Sequence, residues 1–105
     1  MTSFTVRYTD AAREDLFQLF DFLLERAHTI EDLDAAHHAL DTIAIEIETH
    51  LSRSPFIYRK AGQSPFLREL IIAFRRSGYV ALYEIEDGET VTIVAVRHQL
   101  EDDYH

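Results

Sequence analysis

Three runs decide the fold of this chain: LRELIIAFRR at residues 67–76, YVALYEIE at 79–86 and TVTIVAVRH at 90–98. Each run is rich in β-branched and aromatic residues, which is typical of strands. Ser77-Gly78 separates the first two runs, and Asp87-Gly88 separates the last two. Because Asp-Gly suits a two-residue hairpin turn, we expect neighbouring and mainly antiparallel strands.

The alternation of apolar residues predicts which side chains share a face of the sheet. In the first run, one face is expected to hold Leu70, Ile72 and Phe74. In the last run, one face is expected to hold Val91, Ile93 and Ala95, with Val94 and Val96 on the other. Apolar residues on both sides of a run indicate a sheet that is partly covered on both faces.

The N-terminal half predicts one strand and two helices. Residues 4–8 (FTVRY) alternate as a half-buried strand should. Thr9-Asp10 then caps an amphipathic helix that continues to about Ala27. A capping box at Thr29–Asp32 opens a second helix that ends near Ser52, and residues 53–66 read as a loop with two prolines and a glycine.

The order strand, helix, helix, strand, strand, strand predicts an α+β domain. Its two N-terminal helices should pack on one face of a small, twisted, mainly antiparallel sheet. With 105 residues the chain is long enough for one compact core and too short for two, so we expect a single domain over residues 1–105.

Charge and composition exclude several classes of function. The net charge of −9 disfavours a general nucleic-acid binder, although residues 53–98 are basic and hold seven of the ten Lys and Arg. With no cysteine, disulfides, thiolate nucleophiles and cysteine zinc sites are excluded. The sequence shows neither a bilayer-spanning stretch nor a secretory signal, so it predicts a cytoplasmic location and no membrane partner.

Three segments carry a resemblance to a known family: Leu67-Arg-Glu-Leu70, Ser77-Gly-Tyr-Val-Ala-Leu-Tyr83 and Val94-Ala-Val-Arg-His-Gln-Leu-Glu-Asp-Asp-Tyr104. Together with the strand and two helices before them, they resemble the toxins of RelE/ParE toxin–antitoxin systems over nearly the whole chain. The C-terminal segment is the most specific part. Within this superfamily the chain is more similar to the ParE and plasmid-stabilisation branch than to the ribosome-dependent RNases.

The resemblance implies a growth inhibitor that a cognate antitoxin holds inactive by wrapping across the helices and the sheet. The implied target is DNA gyrase for ParE-like members and mRNA on the ribosome for RelE-like members. A protein of the same fold that has lost toxicity and only binds a partner is a third hypothesis. The resemblance leaves open a homodimer or a toxin–antitoxin hetero-oligomer, and it implies no cofactor.

An RNase of the RelE branch would need a base, an acid and several cations around the scissile phosphate. The candidates by resemblance are Arg97, His98 and Tyr104. Two departures from the RNase pattern weaken this hypothesis: Val80 stands where those enzymes carry a phosphate-binding Arg, and Glu101-Asp102-Asp103 adds negative charge. His98 and Tyr104 also have purely structural interpretations: His98 as a surface or half-buried histidine that hydrogen-bonds the C-terminal tail, and Tyr104 as a cover for the sheet edge.

Two further sets of residues are candidates for contact with a target or an antitoxin. A local basic patch, if it forms, would consist of Arg59, Lys60, Arg68, Arg75, Arg76 and Arg97. Apolar residues left over from the helical core, which would form an antitoxin groove, are Phe17, Phe22 and Ile45. His37 and Asp41 lie one helical turn apart, but no third ligand has suitable spacing, so no metal site is predicted.

Overall fold

The computed structural model describes residues 3–75 and 77–99. Two helices and five strands follow one another in the order β1 (Thr5–Tyr8), α1 (Asp10–Glu25), α2 (Ile30–Leu51), β2 (Arg59–Lys60), β3 (Leu67–Phe74), β4 (Ser77–Ile85) and β5 (Thr90–His98). The strands form one sheet in the order β1-β5-β4-β3-β2. Only the β1–β5 pairing among these strands is parallel. The predicted α+β class is confirmed, with the two-residue strand β2 as an addition inside the predicted loop.

Both helices begin at the predicted caps. The Thr9 hydroxyl accepts a hydrogen bond from the Ala12 amide at 3.0 Å, and the Thr29 hydroxyl accepts one from the Asp32 amide at 3.0 Å. The Asp32 carboxylate reaches back to the amide of His28 at 2.9 Å. This hydrogen bond is the main reason why the pKa of Asp32 lies below its ordinary value. The first helix ends at Glu25, slightly before the predicted end.

The core lies between α2 and the helix-facing side of the sheet. Ile43, Ile47 and Leu51 of α2 pack with sheet residues such as Ile93, and all four are fully buried. Tyr83 is also fully buried, and its hydroxyl donates to the Pro55 carbonyl at 2.6 Å. Desolvation raises the pKa of Tyr83 far above its ordinary value, so this hydroxyl remains a donor. It ties the segment after α2 to the centre of the sheet.

The turn between β3 and β4 differs from the prediction. Phe74 pairs with Ser77, so Ser77 and Gly78 belong to β4, and Arg75 lies in the turn with φ 55°. A Cβ atom at position 78 would lie 2.4 Å from the Ile72 carbonyl oxygen. Gly78 is therefore needed for the close approach of two strands, and the prediction that Ser77-Gly78 separates the first two strands was wrong.

The turn between β4 and β5 is also longer than the predicted two residues. Glu86 donates to the Thr90 carbonyl at 3.0 Å, which leaves three residues to close the hairpin. The Asp87 carboxylate accepts from the amides of Glu89 and Thr90, each at 2.7 Å. Asp87 thus organises the turn through its side chain, as Asp often does.

A β-bulge changes the faces of β5. Leu82 pairs with Ala95 while Tyr83 pairs with Ile93, so Val94 has no partner in the register. The alternation therefore shifts by one residue, and Val96 joins Ile93 in the core. The prediction that Val96 lies opposite Ile93 was wrong because an unbroken alternation cannot include the extra residue.

Candidate functional site

The sheet has one face against the helices and one face that no described helix covers, called the open face, on which Ile71 is 40% exposed although Val80 is buried at 4%. Along β4 the buried residues Tyr79, Ala81 and Tyr83 belong to the helix-facing core, and the residues between them point to the open face. The register pairs Arg97 with Val80 and His98 with Tyr79. Arg97 and His98 therefore belong to opposite faces, and the two predicted catalytic candidates do not form one cluster.

The open face around Arg97 is apolar. Arg97 pairs across the sheet with Val80, and Val80 pairs in turn with Ile71. Neither of these two residues carries a charge. The Arg97 side chain is exposed, and within residues 3–75 and 77–99 it has no ion-pair partner. A phosphoryl-transfer site needs several cations directed at the developing charge. The described part of this face supplies no second cation beside Arg97 in the register.

His98 lies on the helix-facing side, where it is half buried. Its ring meets the Tyr79 ring at 5.5 Å between centroids with an interplanar angle of 88°. Burial raises the pKa of Tyr79 above its ordinary value. This edge-to-face contact packs His98 against the sheet, while the predicted hydrogen bond to the C-terminal tail falls on residues outside the described ones.

The predicted basic patch is divided into two groups. Arg68 lies near the start of β3, and Arg75 follows its last residue. This separation of seven residues corresponds to about 23 Å along a strand. Arg68 donates to the carbonyls of Pro65 at 2.8 Å and Tyr58 at 2.6 Å, so its guanidinium holds the loop before β3. At the same end, Arg59 forms an ion pair with Glu69 at 2.9 Å.

Lys60, next to Arg59 in the edge strand β2, is exposed. Within the described residues its ammonium group has no ion-pair or hydrogen-bond partner, whereas its backbone pairs with Arg68. It is therefore the cation of this group whose charge is most available to a partner. A lysine on an edge strand also discourages pairing with another sheet.

A groove of about 410 Å³ runs along the outer side of the two helices. Its lining residues are Arg13, Leu16, Phe17, Phe20, His37, Leu40 and Asp41. Phe17 is 67% exposed although it is a large aromatic residue. His37 lies against Phe20, with 5.0 Å between ring centroids. In the described part of the chain no group of three potential metal ligands occurs, and His37 and Asp41 instead line this apolar groove.

The other two apolar candidates lie outside that groove. Phe22 is 46% exposed, and the Arg26 guanidinium carbon lies 4.3 Å from the centre of its ring. Ile45 on α2 is 63% exposed. The Phe22 ring is therefore partly covered by the Arg26 guanidinium, whereas Phe17 lines the concave groove.

A cleft that the sequence did not reveal opens between the helices and the far end of the sheet. It has a volume of about 670 Å³ and is lined by Leu23, Arg26, Ala27, Asp32, Ala35, Ala36, Ala39, Phe74, Arg75, Tyr79 and His98. The signal that could have found it is the run of alanines on α2 facing two aromatic residues of the sheet. Small side chains at this position leave space between the two layers.

The family model of the ParE toxin of the type II toxin–antitoxin system parDE matches residues 6–103. The chain belongs to the ParE toxin family. No curated protein matches the chain in sequence. The match spans both helices and every described strand except the first residue of β1, so it supports the resemblance seen in the C-terminal segments.

Two solved structures share the fold of this ParE family member. One is a chromosomal ParDE toxin–antitoxin system from P. aeruginosa, with 14% identity, a TM-score of 0.67 and coverage of 91% of this chain and 96% of that chain. The other is a free mutant of the E. coli toxin RelE, with 20% identity, a TM-score of 0.54 and coverage of 99% and 92%. At these identities the likeness concerns the fold alone.

Some candidates of this ParE family member lie outside the described residues. They are Arg76, Tyr104 and the acidic run Glu101-Asp102-Asp103. Among the helices that are described, none is both long enough and apolar enough to cross a membrane.

Proposed function

We propose that this chain is a toxin that arrests growth by inhibiting DNA gyrase and that a cognate antitoxin neutralises it. The observation that carries the choice against the endonuclease is the separation of Arg97 from His98 on two faces of the sheet. Membership of the ParE family supports the same target. Inhibition of this kind requires only binding to the target, and no reaction.

The alternative is a RelE-like endonuclease that cleaves mRNA on the ribosome. It would need an acid, a base and a set of cations around one phosphate. Arg97 stands beside uncharged Val80, and His98 lies against Tyr79 on the helix-facing side. This geometry favours the gyrase hypothesis over the endonuclease.

The outer helical groove around Phe17 is the seat we propose for the antitoxin. A large aromatic side chain that is 67% exposed in a concave apolar surface is suited to bury against an amphipathic partner. The lining of the groove holds one arginine, Arg13, and one carboxylate, Asp41, so the proposed seat depends on apolar contact with Phe17 and its neighbours.

The experiment is induced expression of the chain in a bacterial host without an antitoxin, with plasmid supercoiling and mRNA integrity measured together. We expect growth arrest, loss of negative supercoiling and intact mRNA. Purified gyrase should also lose supercoiling activity when the purified chain is added. A variant that cannot fold, Ile43→Asp at a fully buried core position, is the matched control and should allow growth.

Two outcomes would contradict the proposal. Arrest with normal supercoiling and cleaved mRNA would favour the endonuclease. Normal growth despite a folded and abundant chain would favour the non-toxic interaction module.

A further inference from the structure

The loop before β3 leaves large apolar side chains exposed at one end of the sheet. Phe56, Ile57 and Phe66 are 49%, 73% and 50% exposed, and we call these three residues the loop-end patch. Phe56 and Phe66 line one pocket of about 300 Å³ together with residues of the β4–β5 hairpin, which are Ile85, Glu86, Asp87 and Gly88. Exposed apolar side chains that share one surface, with polar residues at its rim, mark an interaction site.

The loop-end patch is separate from both concave surfaces described above. Its pocket shares no lining residue with the outer helical groove or with the cleft. Phe66 precedes β3 and Phe74 is the last residue of that strand, so the patch and the cleft lie at opposite ends of eight strand residues. The proposed antitoxin seat at Phe17 therefore leaves the patch uncovered.

Phe56 is held in place although half of it is exposed. The residue before it, Pro55, is buried, and its carbonyl accepts the Tyr83 hydroxyl at 2.6 Å. The Phe4 ring meets the Phe56 ring edge-on, with 6.3 Å between centroids and an interplanar angle of 67°. The Arg68 guanidinium carbon lies 5.8 Å from the centre of the same ring. Phe56 is therefore presented from a fixed backbone with neighbours on its inner side.

Phe66 is fixed in the same way by its backbone. Its carbonyl accepts from the Ile85 amide at 2.8 Å, and its amide donates to the Ser64 hydroxyl at 3.2 Å. The carbonyl of Pro65, the preceding residue, accepts from Arg68 at 2.8 Å. A side chain that is already positioned loses less conformational entropy when a partner binds. Both aromatic residues of the patch are thus suited to act as anchors in an interface.

The hairpin side of the patch is acidic. The stretch 84–90 carries four carboxylates and no Lys or Arg; the carboxylates are those of Glu84, Glu86, Asp87 and Glu89. Within the described residues none of the four forms an ion pair. Arg68, the cation beside Phe56, donates to the carbonyls of Pro65 and Tyr58 and so holds the loop. The negative charge at this rim therefore remains available to a cationic partner.

We infer that the loop-end patch is the surface through which this chain docks on gyrase, an inference that rests on the proposed function. The matching surface of the enzyme receives Phe56 and Phe66 in an apolar recess and places Lys or Arg beside Glu86. An enzyme that handles DNA carries cations on its surface, because it must neutralise phosphates. The acidic rim, in a protein of net charge −9, is complementary to a surface of that kind.

Two other occupants fit the patch less well. Nucleic acid would bring its phosphates against the carboxylates of the hairpin, which repel them. A second copy of this chain would place the same acidic rim on both sides of a two-fold interface, and like charges in contact oppose association. A protein surface that combines apolar residues with Lys or Arg meets neither obstacle.

The test measures binding of the full chain to immobilised purified gyrase by interferometry, and inhibition of supercoiling with the same preparations. The double variant Phe56→Ser, Phe66→Ser should weaken binding and inhibition about 30-fold or more, because two aromatic anchors are lost. Phe22→Ser is the matched control, since Phe22 is 46% exposed and lies outside the patch. It should bind and inhibit as the parent chain does.

A second pair of variants tests the charge of the rim. Glu86→Lys should weaken binding about threefold or more, because it replaces an attraction by a repulsion at an exposed position. Glu25→Lys makes the same change of charge at the end of α1 and should have a much smaller effect. Binding of the parent chain should also weaken as salt is added, and the Glu86 variant should show less of this dependence.

The outcomes separate this inference from the proposed function. No binding of the parent chain to gyrase would overturn both. Inhibition by the parent chain and equal inhibition by the Phe56, Phe66 variant would overturn this inference alone. Stronger binding of the Glu86 variant would exclude a cationic partner surface, and a dimer of the chain that dissociates only in the patch variant would identify a second copy as the occupant. Thermal melting establishes that each variant is folded, and Glu86→Lys keeps the test decisive if the double variant does not fold.

Discussion

Arg97 and His98 are consecutive residues of β5, yet Arg97 pairs with Val80 on the open face while His98 pairs with Tyr79 on the helix-facing side. Any account of toxicity must start from this separation. A mechanism that requires both side chains at one phosphate conflicts with it, whereas a mechanism based on binding does not.

Growth arrest should therefore survive removal of the nuclease candidates. We expect the double variant His98→Ala, Tyr104→Phe to arrest growth as the parent chain does, because gyrase inhibition uses no acid or base. Colony counts after induction measure the effect. If toxicity disappears while the melting temperature stays within a few degrees of the parent, the endonuclease is favoured.

Neutralisation should depend on Phe17. Phe17→Ala removes an aromatic side chain that is 67% exposed, so the chain alone should keep its stability. Burial of a large aromatic residue in an interface is often worth about 2 kcal/mol or more, so antitoxin affinity should fall about 30-fold or more. Titration calorimetry with the antitoxin checks this. Phe22→Ala, outside the groove, is the control, and an equal loss in both variants would contradict the proposed seat.

The buried hydroxyl of Tyr83 should stabilise the fold. In Tyr83→Phe the Pro55 carbonyl loses its 2.6 Å donor, and an unsatisfied buried acceptor costs about 1–3 kcal/mol. Urea unfolding gives the free energy. Tyr79→Phe makes the same chemical change on the same strand and face, where no hydroxyl hydrogen bond is found among described residues, so its free energy of unfolding should change much less. Equal losses of unfolding free energy in the two variants would show that the hydrogen bond to the Pro55 carbonyl contributes no particular stability.

Asp15 should stabilise the bulged strand. Its carboxylate accepts from the Val96 amide at 3.0 Å and so joins α1 to the edge of β5. Loss of a hydrogen bond to a charged group costs about 1.5–3 kcal/mol, so Asp15→Ala should lower the free energy of unfolding by about that amount. Glu14→Ala on the same helix is exposed and should have a small effect. Amide exchange at Val96 should also accelerate in the Asp15 variant and not in the Glu14 variant.

The cap of α2 should make stability depend on acid pH. The hydrogen bond from the His28 amide holds the pKa of Asp32 below its ordinary value of 3.8. A depressed folded-state pKa means that this stabilisation is present above pH 3.8 and is lost as the pH falls through the folded-state pKa. Asp32→Asn should therefore destabilise the chain at pH 7 and make little difference near pH 2. Asp34→Asn, an exposed change on the same helix outside the cap, is the control for the loss of one negative charge.

Much of the fold followed from local signals in the sequence. Thr9 and Thr29 predicted both helix starts because a capping hydroxyl needs only the amide three residues later. The tertiary features were harder. The extra residue at Val94 cannot be recognised within a run of valines and alanines. Gly78 resembled a turn residue in the sequence, because the Ile72 carbonyl that requires a glycine there lies on another strand.

The candidate site was predictable only residue by residue. Arg97, His98 and Phe17 could be named from their positions, but sequence could not reveal that the first two belong to opposite faces. The cleft was missed because its wall is made of alanines, which also occur in ordinary helix packing. Arg68 looked like a contact residue, although the carbonyls of Tyr58 and Pro65 occupy its guanidinium.

The bulge at Val94 has a consequence for comparisons among proteins of this fold. Because side chains alternate with a period of two, one inserted residue reverses the parity of everything that follows it in the strand. A chain without this residue but with the same Arg-His pair would present the histidine to the open face and the arginine to the helices. A gap of one position in an alignment thus decides whether the arginine or the histidine lies on the open face, even where both residues of the motif are retained.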